Sequence, residues 1–237
     1  MNIVDIAAFY TQTLGKATQD LLAAKLMHGL VAGPEQLVLG LGYASPYLGG
    51  VPRSLSFMLA RGGVMHWPLQ GPVRSALVDE LDLPLPDNSM DIAVLVHALE
   101  FSESAEELLQ EVWRVLAPQA KLLLVVPNRR GLWAASEASP FGQGQPFSRG
   151  QILRHLREAQ FLVSRIEQCL FAPPWAGAGM VKGLERAAQL GLRHFGGVFV
   201  IEATKQVHAY ASGRLARRAL PRLRPMLLPG AQPIGKI

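Results

Sequence analysis

Two segments of this chain, MDIAVLV at residues 90–96 and KLLLVV at 121–126, each end in five consecutive apolar residues. Successive side chains of a strand point to opposite faces of its sheet. A strand with one face in water therefore alternates, and an unbroken apolar run of strand length is buried on both faces. Between the two runs the spacing predicts a helix. Ser104 stands where a serine caps a helix N-terminus, and Glu107 completes the spacing of a capping box. Leu108, Leu109, Val112, Val115 and Leu116 then recur on one face, and Pro118 is the expected stop. Buried strand, amphipathic helix and buried strand make the crossover unit of a parallel sheet covered by helices on both faces.

The rest of the chain continues that alternation. Residues 5–30 read as one or two helices, with Leu21, Leu22, Lys25, Leu26 and Leu30 on or beside one stripe, ended by Gly33-Pro34. A buried strand is predicted over 36–41, a loop and possible helix over 47–60, and short strands over 63–67 and 74–78. Ser148 is a plausible cap for a helix to about residue 159. A strand follows within 161–171, then a helix over 180–192 and a last strand over 197–204. In an open sheet of this kind ligands sit beyond the C-terminal strand ends, so the loops after Leu41, Val78, Val96 and Val126 are expected to line one cleft.

Composition narrows the class. A chain of 237 residues, 49% hydrophobic and 17% charged, suits one sizeable α/β domain. Its one cysteine, Cys169, rules out a disulfide framework within the chain and fits a reducing, cytoplasmic setting. No basic segment followed by an apolar run marks a signal peptide at the N-terminus, and no apolar stretch reaches the roughly 18 residues of a membrane-spanning helix. The six histidines show no paired ligand spacing, so no metal site is expected. Net charge is +5, but seven of the Lys and Arg residues and no Asp or Glu lie from Lys205 onward. The organisation expected is a helical cap over 1–34, a domain over 35–211 and a basic, proline-rich tail over 212–237. Such a tail suits RNA, anionic lipid or an acidic protein partner, or serves as a solvated segment; no aromatic–basic interleaving marks it for base stacking.

The segment from Asp82 to Trp133 carries a more specific signal. LPLPDNSMD leads into the 90–96 strand, HALEF follows it, and EVWRVLAP precedes the next strand. In this combination the chain resembles the class I S-adenosylmethionine-dependent methyltransferases of the type 11 group. The resemblance implies a Rossmann-like α/β fold, with a seven-stranded, mostly parallel sheet and one antiparallel strand. It further implies S-adenosyl-L-methionine as cofactor and methyl transfer to a small-molecule acceptor. The alternative is a methyltransferase-fold protein that has lost catalysis and serves as a binding or regulatory module. A dinucleotide-dependent oxidoreductase is disfavoured because G-x-G-x-x-G is absent.

By the same resemblance LVLGLGYASPYLGG, residues 37–50, is the first strand and cofactor loop. The family has an acidic residue followed by G-x-G-x-G. Here the acidic position is Gly40, the first motif glycine is Gly42, and the next two become Ala44 and Pro46, with Tyr43 adding an aromatic surface. Pro46 suits the first turn of a helix, whose start would offer backbone donors to the methionine carboxylate. The acidic residue that grips the ribose is missing from 62–70, a loss of about 1.5–3 kcal/mol that His66 or Gln70 would offset in part. Asp79 matches the family's contact to the adenine amino group, with Glu80 or Asp82 able to assist. His97, after the fourth strand, is the candidate base or a turn-shaping residue, and Glu100 a second base or a cap. Asn128, Arg129 and Arg130 are candidate substrate ligands, Arg offering a planar donor fork. Tyr10 is a candidate cover from the N-terminal helices, and residues 139–150 a candidate lid.

Overall fold

The computed structural model describes residues 2–60, 63–188 and 196–207. The predicted tail lies outside the described residues. Two helices, α1 (Ile3–Thr11) and α2 (Thr13–Met27), precede β1 (Val38–Gly42), β2 (Ser54–Leu59), β3 (Ser75–Val78) and β4 (Met90–Val96). Then follow α3 (Ala105–Val115), β5 (Leu116–Pro127), α4 (Arg149–Glu158), β6 (Phe161–Cys169), α5 (Ala178–Ala188) and β7 (Val198–Lys205). The seven strands form one sheet in the order β3-β2-β1-β4-β5-β7-β6. β1 lies parallel between β2 and β4, while β7 runs antiparallel to both its neighbours.

The two apolar runs sit at the sheet centre, where both faces are covered. On β4, Ala93 and Leu95 pack with Leu108, Leu109, Val112 and Val115 of α3 and with Ile152 and Leu156 of α4. The alternate residues Ile92, Val94 and Val96 pack on the other side with Ile3, Ile6, Phe9 and Tyr10 of α1 and Leu22 and Leu26 of α2. The predicted N-terminal cap is thus part of the domain core. Among the described residues no helix is long and apolar enough to cross a membrane.

Caps and stops differ in detail from expectation. The Ser104 side chain accepts the Glu107 amide, so the cap forms without the reciprocal bond; Ser148 with Gln151 forms both halves of a capping box on α4. The helix ends before Pro118, with β5 beginning at Leu116.

The larger correction concerns β2. It occupies 54–59, inside the stretch read as a loop and possible helix, and 63–67 is not a strand. SLSFML mixes serines with apolar residues and so does not read as a buried run, yet pairing places Ser54 and Ser56 in the buried sheet beside β1. The β1–β2 connection also holds no α-helix, only a three-residue 3₁₀ turn at Ser45–Tyr47. The role of a crossover helix on this face falls to α1 and α2.

Arg114, near the end of α3, fastens the connection between β3 and β4. Its guanidinium donates to both carboxylate oxygens of Glu111 at 2.8 and 2.6 Å, to Asp87 at 2.6 Å, and to the Leu83 and Leu85 carbonyls at 3.0 and 2.9 Å. Glu111 also accepts the Leu83 amide at 2.7 Å. The Arg114 hydrogen bonds hold the Glu111 carboxyl below its ordinary value. A depressed carboxyl contributes stability above its unfolded-state pKa, and that contribution disappears as pH falls through the folded value. Acidification below about pH 5 is therefore expected to destabilise the protein with a slope that Glu111→Gln flattens, and Arg114→Ala to cost about 1–3 kcal/mol in urea unfolding. Equal acid slopes for wild type and Glu111→Gln would remove this role from the pair.

Candidate functional site

The parallel strands converge on a cleft of about 370 Å³ at their C-terminal ends. Gly42 enters from β1, Met58, Leu59 and Ala60 from the end of β2, Asp79, Glu80 and Leu81 from beyond β3, and His97, Phe101 and Glu103 from beyond β4. Ile3 and Ile6 of α1 complete the wall. Three of the four expected loops meet here; the loop after β5 does not line it.

Gly42 holds φ +74°, and a Cβ there would lie 2.5 Å from the carbonyl oxygens of both Val96 and His97. The Tyr43 amide donates to that Val96 carbonyl at 2.7 Å. Glycine is therefore required where β1 crosses closest to β4. Gly40 differs. Its missing Cβ would meet Leu48 Cδ1 at 2.6 Å and Ala44 Cβ at 2.9 Å, so apolar groups fill the space in which the family's acidic side chain would stand. Tyr43 and Ala44 are buried behind the cleft rather than lining it. The expected helix start after Pro46 is absent, and the amides of Tyr47, Leu48 and Val51 are spent on carbonyls inside the turn.

On the far side, Asp79 Oδ1 accepts the Leu81 amide at 2.9 Å, and Glu80 Oε1 accepts the Ser102 hydroxyl at 3.1 Å and the Glu103 amide at 2.8 Å. The loops after β3 and β4 are thereby tied into one acidic rim. The end of β2, Leu59-Ala60, carries no acid, and the strand end at which the resemblance expects one lies there rather than within 62–70. His66 and Gln70 are exposed and outside the cleft wall.

His97 is the most constrained group. It holds φ +50°, an uncommon conformation for a residue with a side chain and a feature that concentrates at functional sites. Its ring is enclosed by Phe141 at 4.5 Å and Phe101 at 6.4 Å between centroids. Nδ1 lies 2.9 Å from Glu100 Oε1, and Nε2 lies 2.8 Å from the Tyr10 hydroxyl. Burial, and then the adjoining Tyr47, holds the Tyr10 hydroxyl well above its ordinary range, so it keeps its proton. The set is satisfied when Tyr10 O–H donates to Nε2 and Nδ1–H donates to the Glu100 carboxylate. Tyr10 also stacks on Tyr43, with centroids 5.0 Å apart and planes 10° apart. It therefore covers His97 and the loop, while Ile3 and Ile6 do the covering of the cleft.

The three substrate candidates after β5 are engaged elsewhere or point to solvent. Asn128 is buried, donates to the Gly196 carbonyl at 2.8 Å and accepts the Arg130 amide at 3.1 Å. Arg129 donates to the Pro146 carbonyl at 3.0 Å, and Arg130 is exposed. Residues 139–147 pack as a fixed cover, with Phe141 fully buried and the Gln145 amide donating to the Glu100 carbonyl at 2.8 Å.

Residues 60–124 match the family described as "Methyltransferase domain", of the type 11 group. The chain has the class I methyltransferase fold. A possible histamine N-methyltransferase from Thermotoga maritima is 18% identical, with a TM-score of 0.59 over 86% of this chain and 96% of that one. A putative methyltransferase from Haloferax volcanii, solved with the Trm112 methyltransferase activator, is 16% identical, with 0.57 over 84% and 97%. Geranyl diphosphate C-methyltransferase from Streptomyces coelicolor, solved with Mg²⁺, geranyl-S-thiolodiphosphate and S-adenosyl-L-homocysteine, is 18% identical, with 0.56 over 79% and 76%. No curated protein matches the chain in sequence.

Of the candidates named from sequence, Gly42, Asp79, Glu80 and His97 line this cleft, and its apolar wall was not singled out. Ile3 and Ile6 stand one helical turn apart on α1, a spacing that any buried helix face shares; Met58–Ala60 were hidden by the misplaced β2. The filled space at Gly40 yields a test. Gly40→Asp is expected to destabilise the protein by about 1–3 kcal/mol or more through overpacking, and Gly40→Asp with Leu48→Ala to recover part of that loss in denaturant melts. A single variant as stable as wild type would show that the space is not filled.

Proposed function

We propose that the cleft binds S-adenosyl-L-methionine and that the protein transfers its methyl group to a small-molecule acceptor beside His97. The observation that carries this reading is Gly42: its backbone is pressed against the β4 end where a cofactor must pass closest, at the head of a cleft of suitable size facing Asp79 and Glu80. In this reading Asp79 and Glu80 take the adenosyl polar groups, and Met58, Leu59, Leu81 and Phe101 its apolar faces, a role supported by their shared cleft. The bound cofactor supplies a methyl group activated by a sulfonium. The chain's contribution is chiefly positioning, because methyl transfer needs an in-line approach more than it needs side-chain chemistry. Ile3 and Ile6 of α1 wall the cleft with apolar side chains, and its volume of about 370 Å³ suits a cofactor with a small acceptor.

A second reading rests on Gly40. With that position filled by Leu48 and Ala44, and no acid at the end of β2, two grips on the cofactor are missing, as in a binding or regulatory module that no longer methylates. Calorimetric titration separates the two. S-adenosylmethionine and S-adenosylhomocysteine are expected to bind and to raise the melting temperature, with Asp79→Asn weakening both by roughly ten- to a hundredfold, the effect of one charge-assisted hydrogen bond. Absence of heat and of thermal stabilisation at millimolar ligand overturns the enzyme reading.

A further inference from the structure

The His97 side chain has no solvent exposure, and both its ring nitrogens are engaged, Nδ1 with Glu100 Oε1 at 2.9 Å and Nε2 with the Tyr10 hydroxyl at 2.8 Å. Each partner is held in place. Glu100 is buried in the same turn, with Gly144 packed so closely that a Cβ there would lie 2.7 Å from Glu100 Cγ. Tyr10 is buried in the domain core beside Phe9 and stacks on Tyr43. The groups around this end of the cleft are apolar: Ile3 and Ile6 of α1, Met58 of β2, and Phe101, whose ring centroid is 6.4 Å from that of His97. Among the described residues, the other ionisable side chains lining the cleft are the carboxylates Asp79, Glu80 and Glu103. Asp79 already accepts the Leu81 amide, and Glu80 the Ser102 hydroxyl and the Glu103 amide.

Such a wall sorts acceptors by charge and by proton. A carboxylate or thiolate enters as an anion, gives up its hydration to apolar side chains and meets a carboxylate rim. A hydroxyl or an activated carbon enters neutral but must hand its proton to a base as the methyl group arrives, and the His97 ring has both nitrogens taken. A neutral amine meets neither obstacle. We propose that the acceptor is an uncharged amine on an apolar body, attacking with its own lone pair, and that His97 is a fixed post of the wall rather than the base; this rests on the methyl-transfer reading above. The nitrogen lone pair forms the new bond to the methyl carbon, the carbon–sulfur bond breaks, and sulfur keeps its electron pair. The positive charge passes from sulfur to nitrogen, so the cleft holds the same net charge before and after. The ammonium product sheds its proton to water once released.

The test uses the full-length protein with labelled S-adenosylmethionine and four probes of similar size: N-methylbenzylamine, its weakly basic isomer N-methyl-para-toluidine, para-ethylphenol and para-methylbenzoate. Both amines are expected to be methylated about a hundredfold faster than the oxygen acceptors, the lower end of what a missing base costs. The pH profile is expected to belong to the acceptor. Between about pH 6 and pH 9 the benzylamine rate rises about tenfold per unit, with its neutral fraction, while the toluidine rate stays flat. Transfer to the phenol or the benzoate at the amines' rate overturns the assignment. So does a limb at one pH for both amines, which marks a base on the protein. Transfer to none of the four, with S-adenosylmethionine bound in the calorimeter, overturns it as well. Failure of S-adenosylmethionine to bind is a separate result, which removes the methyl-transfer reading and the acceptor class with it.

Discussion

The site depends on how closely β1 approaches β4. Five residue pairs align the two strands, from Val38 with Ile92 to Gly42 with Val96, and the last pair stands at the head of the cleft. There the Gly42 backbone turns through a positive φ beneath two carbonyl oxygens, and the next amide, of Tyr43, hydrogen-bonds to one of them. A side chain at Gly42 would push the loop away from the β4 end and move Tyr43, whose ring carries Tyr10. Through Tyr10 the same displacement reaches His97. One backbone contact thus sets the head of the cleft, the seat of the N-terminal helix and the partner of the buried histidine.

The N-terminal helices gain their importance from the β1–β2 connection, which holds no α-helix. A parallel β1–β2 connection ordinarily returns across the sheet as a helix, but here it contains only the turn at Ser45–Tyr47. The exposed half of the sheet face must still be covered, because Val38, Ile92, Val94 and Val96 are all apolar. α1 and α2 cover it. An element that might have been an accessory cap becomes part of the core, and the start of the chain is brought over the cleft. The cost is the lost helix N-terminus facing the cofactor loop. The space at Gly40 is also taken, since Leu48 from the shortened connection lies where the family's acid would project.

How much was legible beforehand follows burial pattern. β4, α3 and the 121–126 part of β5 were found because their surroundings are uniform: apolar on both sides for the strands, apolar on one stripe for the helix, while β5 extends back to Leu116 through the exposed Pro118 and Gln119. β2 was missed because Ser54 and Ser56 are buried by pairing and packing rather than by their own polarity, which no local pattern reveals. Among the candidate residues that line the cleft, Gly42, Asp79 and Glu80 were named through the family resemblance and His97 from its place after a strand. The arginines at 129 and 130 share that kind of position, and their distance from the cleft came from the path of the chain after β5. The apolar wall from Ile3, Ile6 and Phe101 was not singled out, because apolar side chains lining a cleft look in sequence like any other core residues.

The sequence by itself determined the strand–helix–strand unit at the sheet's centre and the end of the sheet where a ligand would sit, because those follow from periodicity and from the handed, short-range rules of strand connection; the seven-stranded sheet with its antiparallel strand came from the family resemblance. It also determined that the end of β1 carries Gly40 where the family pattern has an acid. Only the tertiary structure decided what fills that loss and what His97 is free to do. Leu48 closes on Gly40, and Tyr10 reaches the histidine across 87 positions of sequence. Contacts of that separation are set by how helices seat on a finished sheet, and no local stretch of the chain encodes them alone.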